Sequence, residues 1–135
     1  MRELSLNVLD IAQNSVAANS SLVTIEVTEN TALNELVLSV ADNGKGMTKE
    51  QLSAVRDPFF TTRTTRKVGL GVPLFKMAAE MTGGSLSIES EVGKGTTVKA
   101  VFKTDNVDFT PLGDMTSTIV TLVTMNTHID FIYNF

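Results

Sequence analysis

The feature that most constrains this chain is a change of hydrophobic period near its start. Residues 3–18 repeat at helical spacing: Leu4, Val8, Ile11 and Ser15 fall on one stripe, with Leu9, Ala12 and Val16 beside it. Residues 22–28, LVTIEVT, alternate instead, with Val23, Ile25 and Val27 on one side and Thr24, Glu26 and Thr28 on the other. The first pattern predicts a helix and the second a half-buried strand. Each has one apolar face to cover, which suits helix-on-sheet packing.

The remaining segments extend this pattern. A polar turn from Glu29 to Glu35 leads to a second strand at 36–41 and then to the loop DNGKGM. Thr48 and Gln51 have capping-box spacing and predict a short helix to about Val55. Residues 57–71 read as an irregular loop rich in threonine and cations. Pro73 suits the first turn of a further helix running to about Thr82, and Gly83-Gly84 closes it. Strands at 85–90 and 96–103 flank the hairpin signal Gly93-Lys94-Gly95. Beyond Asp105, Thr110 to Gly113 is a turn, 114–125 suits either a helix or a threonine-rich strand, and IDFIYNF is strand-like. The chain stops inside this alternating run, an ending expected of a cut chain or of a segment that pairs with another chain.

The expected fold class is an α/β (α+β) two-layer sandwich, a mixed and mostly antiparallel sheet with three helices on one face. The expected division is a domain over 1–104 and a C-terminal extension over 105–135. A chain of 135 residues with 42% hydrophobic and 19% charged residues suits one such soluble domain. The net charge of −4 argues against a nucleic-acid or acidic-membrane surface. There is no cysteine, which excludes disulfides and thiolate metal sites. The first residues lack a signal-peptide pattern, and the apolar stretch from Ile119 to Met125 is far below the roughly 20 residues of a membrane span. A cytoplasmic location is expected.

Four short blocks carry chemistry. Asp10 and Asn14 are four apart on the opening helix, so they share a face. An amide oxygen there can ligate Mg²⁺, and a carboxylate can orient a nucleophile. Asp42-Asn43-Gly44-Lys45-Gly46-Met47 follows a strand directly. An Asp at a strand end can accept from an exocyclic amine such as that of adenine, and glycine permits close backbone approach. Asp57 to Lys67 sets Phe59 and Phe60 beside Arg63, Arg66 and Lys67, cations suited to phosphate oxygens. Gly69-Leu70-Gly71 opens a helix, where free backbone N–H groups favour an anion. It lacks the Gly-Lys-Ser/Thr ending of a Walker A loop and the glycine spacing of a Rossmann fingerprint. Singly, these blocks also suit a polar helix face, an Asn-Gly turn, a solvated basic loop and a permissive helix start.

In order and spacing the blocks resemble the GHKL, or Bergerat-fold, superfamily, which includes sensor histidine kinases, anti-sigma-factor kinases, gyrase B subunits, MutL proteins and the 90-kDa heat-shock chaperones. Asp10-x-x-x-Asn14 is similar to its N box and Asp42 to Gly46 to its D-x-G-x-G box. Asp57-Pro58-Phe59-Phe60-Thr61-Thr62 is similar to its F box, Gly69 to Gly71 to its second glycine box, and Gly93 to Thr96 to its closing hairpin. The resemblance covers about residues 3–103. PFFTTR followed by GLG is most similar to bacterial histidine kinases with a short ATP lid.

The resemblance implies ATP with Mg²⁺ as cofactors. It implies that Asn14 ligates the metal, that Asp42 receives the adenine amino group with Thr96 beside it, and that Gly44 and Gly46 shape the wall near adenine and ribose. It further implies that Gly69, Leu70 and Gly71 offer backbone to the phosphates, that Arg63, Arg66 and Lys67 belong to a mobile lid, and that Phe59 and Phe60 pack that lid. Asp10 would be the catalytic group. It stands where the ATP-hydrolysing members carry Glu, one methylene longer, so binding is implied more firmly than hydrolysis. No phosphoacceptor segment precedes the N box, and the one histidine, His128, lies in the tail, where a structural or surface role is expected. The implied module is therefore a kinase-like ATPase working on a partner protein, with a non-catalytic ATP/ADP sensor as the alternative. The PLGDM tail also resembles stand-alone ATP-binding proteins found beside redox-enzyme subunits. A homodimer through the C-terminal tail is a further expectation.

Overall fold

A computed structural model describes residues 4–56, 71–109 and 111–135. Its elements are α1 (Leu4–Ala17), β1 (Leu22–Asn30), β2 (Glu35–Asp42), α2 (Lys49–Arg56), α3 (Gly71–Met81), β3 (Ser85–Glu91), β4 (Gly95–Lys103), α4 (Met115–Met125) and β5 (Asp130–Asn134). The five strands form one sheet in the order β3-β4-β2-β1-β5. β1–β2, β2–β4 and β3–β4 are antiparallel, while β5 runs parallel to β1. The sheet is therefore mixed and mostly antiparallel.

Period-two alternation sets which face of the sheet is buried. Val23, Ile25 and Val27, Leu36, Leu38 and Val40, and Val98, Ala100 and Phe102 all turn into the core. Leu4, Val8, Ile11 and Ala12 of α1 and Val72, Phe75 and Ala79 of α3 cover them. α3 packs on β3 and β4, α1 lies beside it over β2, and α4 flanks α1 near β5. The other sheet face presents Thr24, Glu26, Ser39, Thr97 and Lys99, as expected of a mainly antiparallel sheet with one face in water.

Local chemistry explains the element ends. Gln51 N–H donates to Thr48 Oγ1 at 3.1 Å and Thr48 N–H to Gln51 Oε1 at 2.9 Å, the reciprocal capping box that opens α2. Helix α1 ends with Asn19 at φ 61, while Ser20 N–H donates to Ser15 O and Asn19 N–H to Val16 O. These are the two bonds of a Schellman motif, with Asn in the left-handed position. α3 starts at Gly71, two residues ahead of the proline-marked start, so Pro73 sits in the first turn, where its missing N–H costs nothing.

The described residues contain a fourth helix beyond the three expected, because residues 115–125 are helical. β-branched Thr and Val left this stretch undecided between helix and strand. Spacing and capping settle it. Met115, Thr118 and Leu122 are buried on one stripe, and Asp114 Oδ1 accepts from Ser117 N–H at 2.9 Å. The segment also reaches back to α1. Leu4 and Ser5 N–H donate to the carbonyls of Pro111 and Leu112, and Thr118 Oγ1 donates to Ser5 O at 3.3 Å. Met115, Leu122 and Ile129 belong to the same core cluster as Leu4 and Ile11.

Two predictions follow from α4. Leu122→Ala should lower global stability by about 2–5 kcal/mol, read by urea denaturation as one cooperative transition. A separate early transition, or no loss, would show that α4 is not part of the cooperative core. Hydrogen bonds from the Ser117 hydroxyl, then from its amide, hold the Asp114 carboxyl below its ordinary 3.8. A depressed carboxylate stabilises the fold above its unfolded pKa and loses that effect as pH falls through the folded value. Asp114→Ala should therefore lower Tm at pH 7, and the gap to the parent should close below pH about 4. A gap independent of pH would rule out the ionised cap.

Candidate functional site

The site forms where β2 ends. Asp42 is the last residue of that strand, paired with Val23 on β1 and Thr96 on β4. Its half-buried carboxylate takes three described donors: Ser15 Oγ of α1 to Oδ2 at 2.6 Å, Gly44 N–H to Oδ1 at 2.9 Å, and Thr96 N–H to Oδ1 at 3.3 Å. A carboxylate offers about four lone-pair sites. Among the described residues, one acceptor position on Oδ2 is therefore left for a further donor.

Thr96 extends the network. Its hydroxyl lies 2.7 Å from Ser90 Oγ, which donates to Gly95 O at 3.0 Å and accepts from Met47 N–H at 2.8 Å. Neither Ser15 nor Ser90 was among the candidate residues. Ser15 left one trace in the sequence, as the polar member of the otherwise apolar α1 stripe. A buried hydroxyl there needs a partner, and Asp42 is that partner. Ser90 left no such trace.

The loop after Asp42 is fastened to three neighbours. Asn43 Oδ1 accepts from Ser21 and Leu22 N–H, both at 2.9 Å, and its Nδ2 donates to Ser21 Oγ at 2.8 Å. Lys45 N–H donates to Ala18 O at 2.9 Å, and Gly93 N–H donates to Lys45 O at 2.8 Å. The glycines make these approaches passable. A Cβ on Gly44 would stand 2.7 Å from Ala18 O and from Ser20 Oγ. Gly46, at φ +71, would set one 2.0 Å from Glu91 O, and Gly95, at φ +124, one 2.0 Å from Asp42 O. What crowds Gly44 and Gly46 is protein, so any wall they offer a ligand is backbone.

Asp10 and Asn14 are both half-buried on α1, and Asn14 directly precedes the Ser15 that touches Asp42. Thus Ser15, Asp42 and Thr96 meet where α1, β2 and β4 converge; Asn14 is the neighbour of Ser15 on α1, and Asp10 lies one turn earlier. Gly71 is the first residue of α3, which packs against α1. Phe59, Phe60, Arg63, Arg66, Lys67, Gly69 and Leu70 lie outside the described residues. An open depression of about 390 Å³ runs along the outer side of α3, lined by Pro73, Lys76, Met77, Glu80 and Met81. None of the candidate residues lines it.

Comparison with known proteins decides what this convergence belongs to. Residues 1–106 match the model of the histidine kinase-, DNA gyrase B- and HSP90-like ATPases. The chain belongs to this family. It is an ATP-binding, kinase-like module of the kind histidine kinases carry. It is 34% identical over 89 residues to the sensor histidine kinase ZraS of Escherichia coli (strain K12), covering 66% of this chain and 19% of ZraS. It is 31% identical over 93 residues to sporulation kinase C of Bacillus subtilis (strain 168), covering 69% of this chain and 22% of the kinase. The chain thus spans less than a quarter of either relative. The fold resembles that of full-length ShkA, solved in complex with AMPPNP, with a TM-score of 0.56 and 22% identity over 76% of this chain and 22% of ShkA. None of the described helices is long and apolar enough to cross a membrane.

Removing the α1 anchor tests the geometry. Ser15→Ala should cost about 1.5–3 kcal/mol of stability, the scale of a hydrogen bond to a charged group. Combined with Asp42→Asn in a double-mutant cycle, it should show a coupling well above the additive case. Additivity within about 0.5 kcal/mol would mean that the two side chains do not interact.

Proposed function

We propose that this chain binds Mg-ATP, and that Asp42 reads the adenine through the acceptor position its three protein donors leave open. That single position carries the reading. A carboxylate already oriented by Ser15, Gly44 and Thr96 meets an exocyclic amine without reorganising. Thr96 and the backbone of Gly44 and Gly46 border the same corner. By the family resemblance, Gly69, Leu70 and Gly71 would offer backbone N–H groups to the phosphates. Arg63, Arg66 and Lys67, with Phe59 and Phe60, lie outside the described residues, and by the same resemblance we assign them to the lid.

The donor set suits a metal that arrives with the nucleotide. Asn14 brings a single amide oxygen, and no cluster of three acidic or histidine side chains occurs among the described residues. Mg²⁺ ordinarily keeps several waters and completes its shell with phosphate oxygens, so one protein ligand is sufficient. When bound, it would neutralise developing phosphate charge. The chain's own part is positioning: Asn14 orients the metal-bound phosphates, and Asp10, one turn earlier, orients or deprotonates the attacking hydroxyl or water.

The reaction we assign is phosphoryl transfer to a partner protein, or ATP hydrolysis governed by one, in the cytoplasm. One residue favours a second reading. Asp10 is one methylene shorter than the glutamate of the hydrolysing members the sequence resembles, a shortfall that suits a module that senses ATP against ADP through its lid.

Calorimetric titration with Mg-ATP and with ADP tests the binding. Asp42→Asn should weaken both by on the order of 1.5–3 kcal/mol, or about 10- to 150-fold. A folded Asp42→Asn protein with normal affinity would remove the adenine assignment. Formation of ADP or phosphoprotein that disappears in Asp10→Ala supports transfer, whereas tight binding without turnover supports the sensor.

A further inference from the structure

Among the described residues, the outer edge of the sheet, β5, is protected by little beyond its shortness against pairing with another strand. The opposite edge, β3, carries exposed Glu89 and Glu91. Such charges discourage a second strand from adding there. β5 reads Asp130-Phe131-Ile132-Tyr133-Asn134, with no lysine, proline or glycine and one charge, at its first residue.

The backbone of β5 is set up for pairing. Asp130 N–H donates to Ser21 O at 2.9 Å, so the polar groups of Asp130 point toward β1. In a parallel ladder successive residues alternate in direction. Ile132 and Asn134 therefore also face β1, and the N–H and C=O groups of Phe131 and Tyr133 point outward from the sheet.

The helix above the edge adds an apolar flank. Thr118 bonds to Ser5 and so marks the side of α4 that faces α1. At about 100° per residue, Ile119, Val123 and Val120 lie roughly 100–200° round from it, on the flank away from α1. Ile119 is half-buried, but Val123 is 47% exposed and Val120 59% exposed. Ile132, on the open face of the β5 edge, is 44% exposed.

From the outward amides of β5 and the apolar flank of α4 we infer that this edge pairs with the β5 edge of a second copy of this chain. The pairing is antiparallel about a twofold axis at Ile132. That register is self-complementary, as a twofold interface must be. Phe131 of one copy stands opposite Tyr133 of the other, so the outward groups of both form the hydrogen-bonded pairs. The two rings then meet on the helix side, a favourable cross-strand pair. Ile132 faces its own copy across a non-hydrogen-bonded pair, and Asp130 faces Asn134. A carboxylate meets a carboxamide, and no like charges are opposed. Strands this short bury too little for a stable dimer, which needs roughly 1,200–2,000 Å². Val120 and Val123 of both copies, on the flank of α4 away from α1, add apolar contact above the joined sheet.

The absence of cysteine makes the register directly testable in the full chain. Non-hydrogen-bonded antiparallel partners have Cα atoms about 4.5 Å apart, within disulfide reach. Ile132→Cys should cross-link to a covalent dimer under mild oxidation. Asp130→Cys should not, because its two copies would be about 13 Å apart. In sedimentation velocity at about 100 μM the parent should run as a dimer. Val123→Glu should run as a monomer, with far-UV circular dichroism and melting temperature close to the parent. A monomeric parent overturns the proposal and leaves the edge to a strand of another protein. So does a dimer in which Ile132→Cys stays unlinked, or in which Asp130→Cys links equally well. The measurements use no nucleotide, so failure of the ATP titration leaves them unaffected.

Discussion

The arrangement depends on the Asp42 carboxylate and its three donors. A charged group half withdrawn from water is costly unless its lone pairs are filled. Here three of about four are filled, by Ser15 of α1, Gly44 of its own loop and Thr96 of β4. One charge thus fixes the angle between helix and sheet and the path of the loop. It also requires close backbone packing around it. Gly95 sits where a methyl group would strike the carbonyl of Asp42, and Gly46 where one would strike that of Glu91. Neither position tolerates a side chain without moving the strand end that aims the carboxylate.

α1 carries Asp10, Asn14 and Ser15, and it is held at both ends by different parts of the chain. Its first amides are taken by Pro111 and Leu112, from the segment leading into α4. Its last turn is closed by Asn19 and Ser20, and the Ala18 carbonyl just beyond it accepts from Lys45. Between these ends α1 lies between α3 and α4, with Leu4, Val8 and Ile11 buried. A helix fixed this way holds Ser15 against the end of β2, with residues 10 and 14 just before it on the same helix. The glycine loop docks on that same helix end, so the polar corner and its support form one unit.

Much of this was legible in the sequence, and the rest was hidden for identifiable reasons. Alternation gave β1, β2 and β4 to within two residues, because one buried face imposes period two. The Thr48–Gln51 pair was readable because a capping box is local. Ser15 was harder, since its partner is 27 positions away and a single hydroxyl on an apolar stripe reads as a flaw in the pattern. Gly44 and Gly46 were read as letting backbone approach a ligand, and they also let it approach Ala18, Ser20 and Glu91. Spacing alone cannot distinguish the two. Residues 114–125 stayed ambiguous because β-branched propensity and helical spacing pointed in opposite directions, until burial of Met115, Thr118 and Leu122 on one stripe and the Asp114 cap decided between them.

The limit of the family match sharpens the meaning of the tail. The match ends at residue 106, yet the core continues through Met115, Leu122 and Ile129. Without the segment that follows, β1 would become an edge strand, because β5 pairs with it along Leu22 to Glu26. The buried side chains of Val23 and Ile25 would lose the neighbours that Phe131 and Tyr133 provide across that ladder. α1 would also lose the carbonyls that accept from its first amides. The tail thus supports two elements that border the site: the N-terminus of α1, between two and three turns from Asn14, and β1, whose start Asn43 grips.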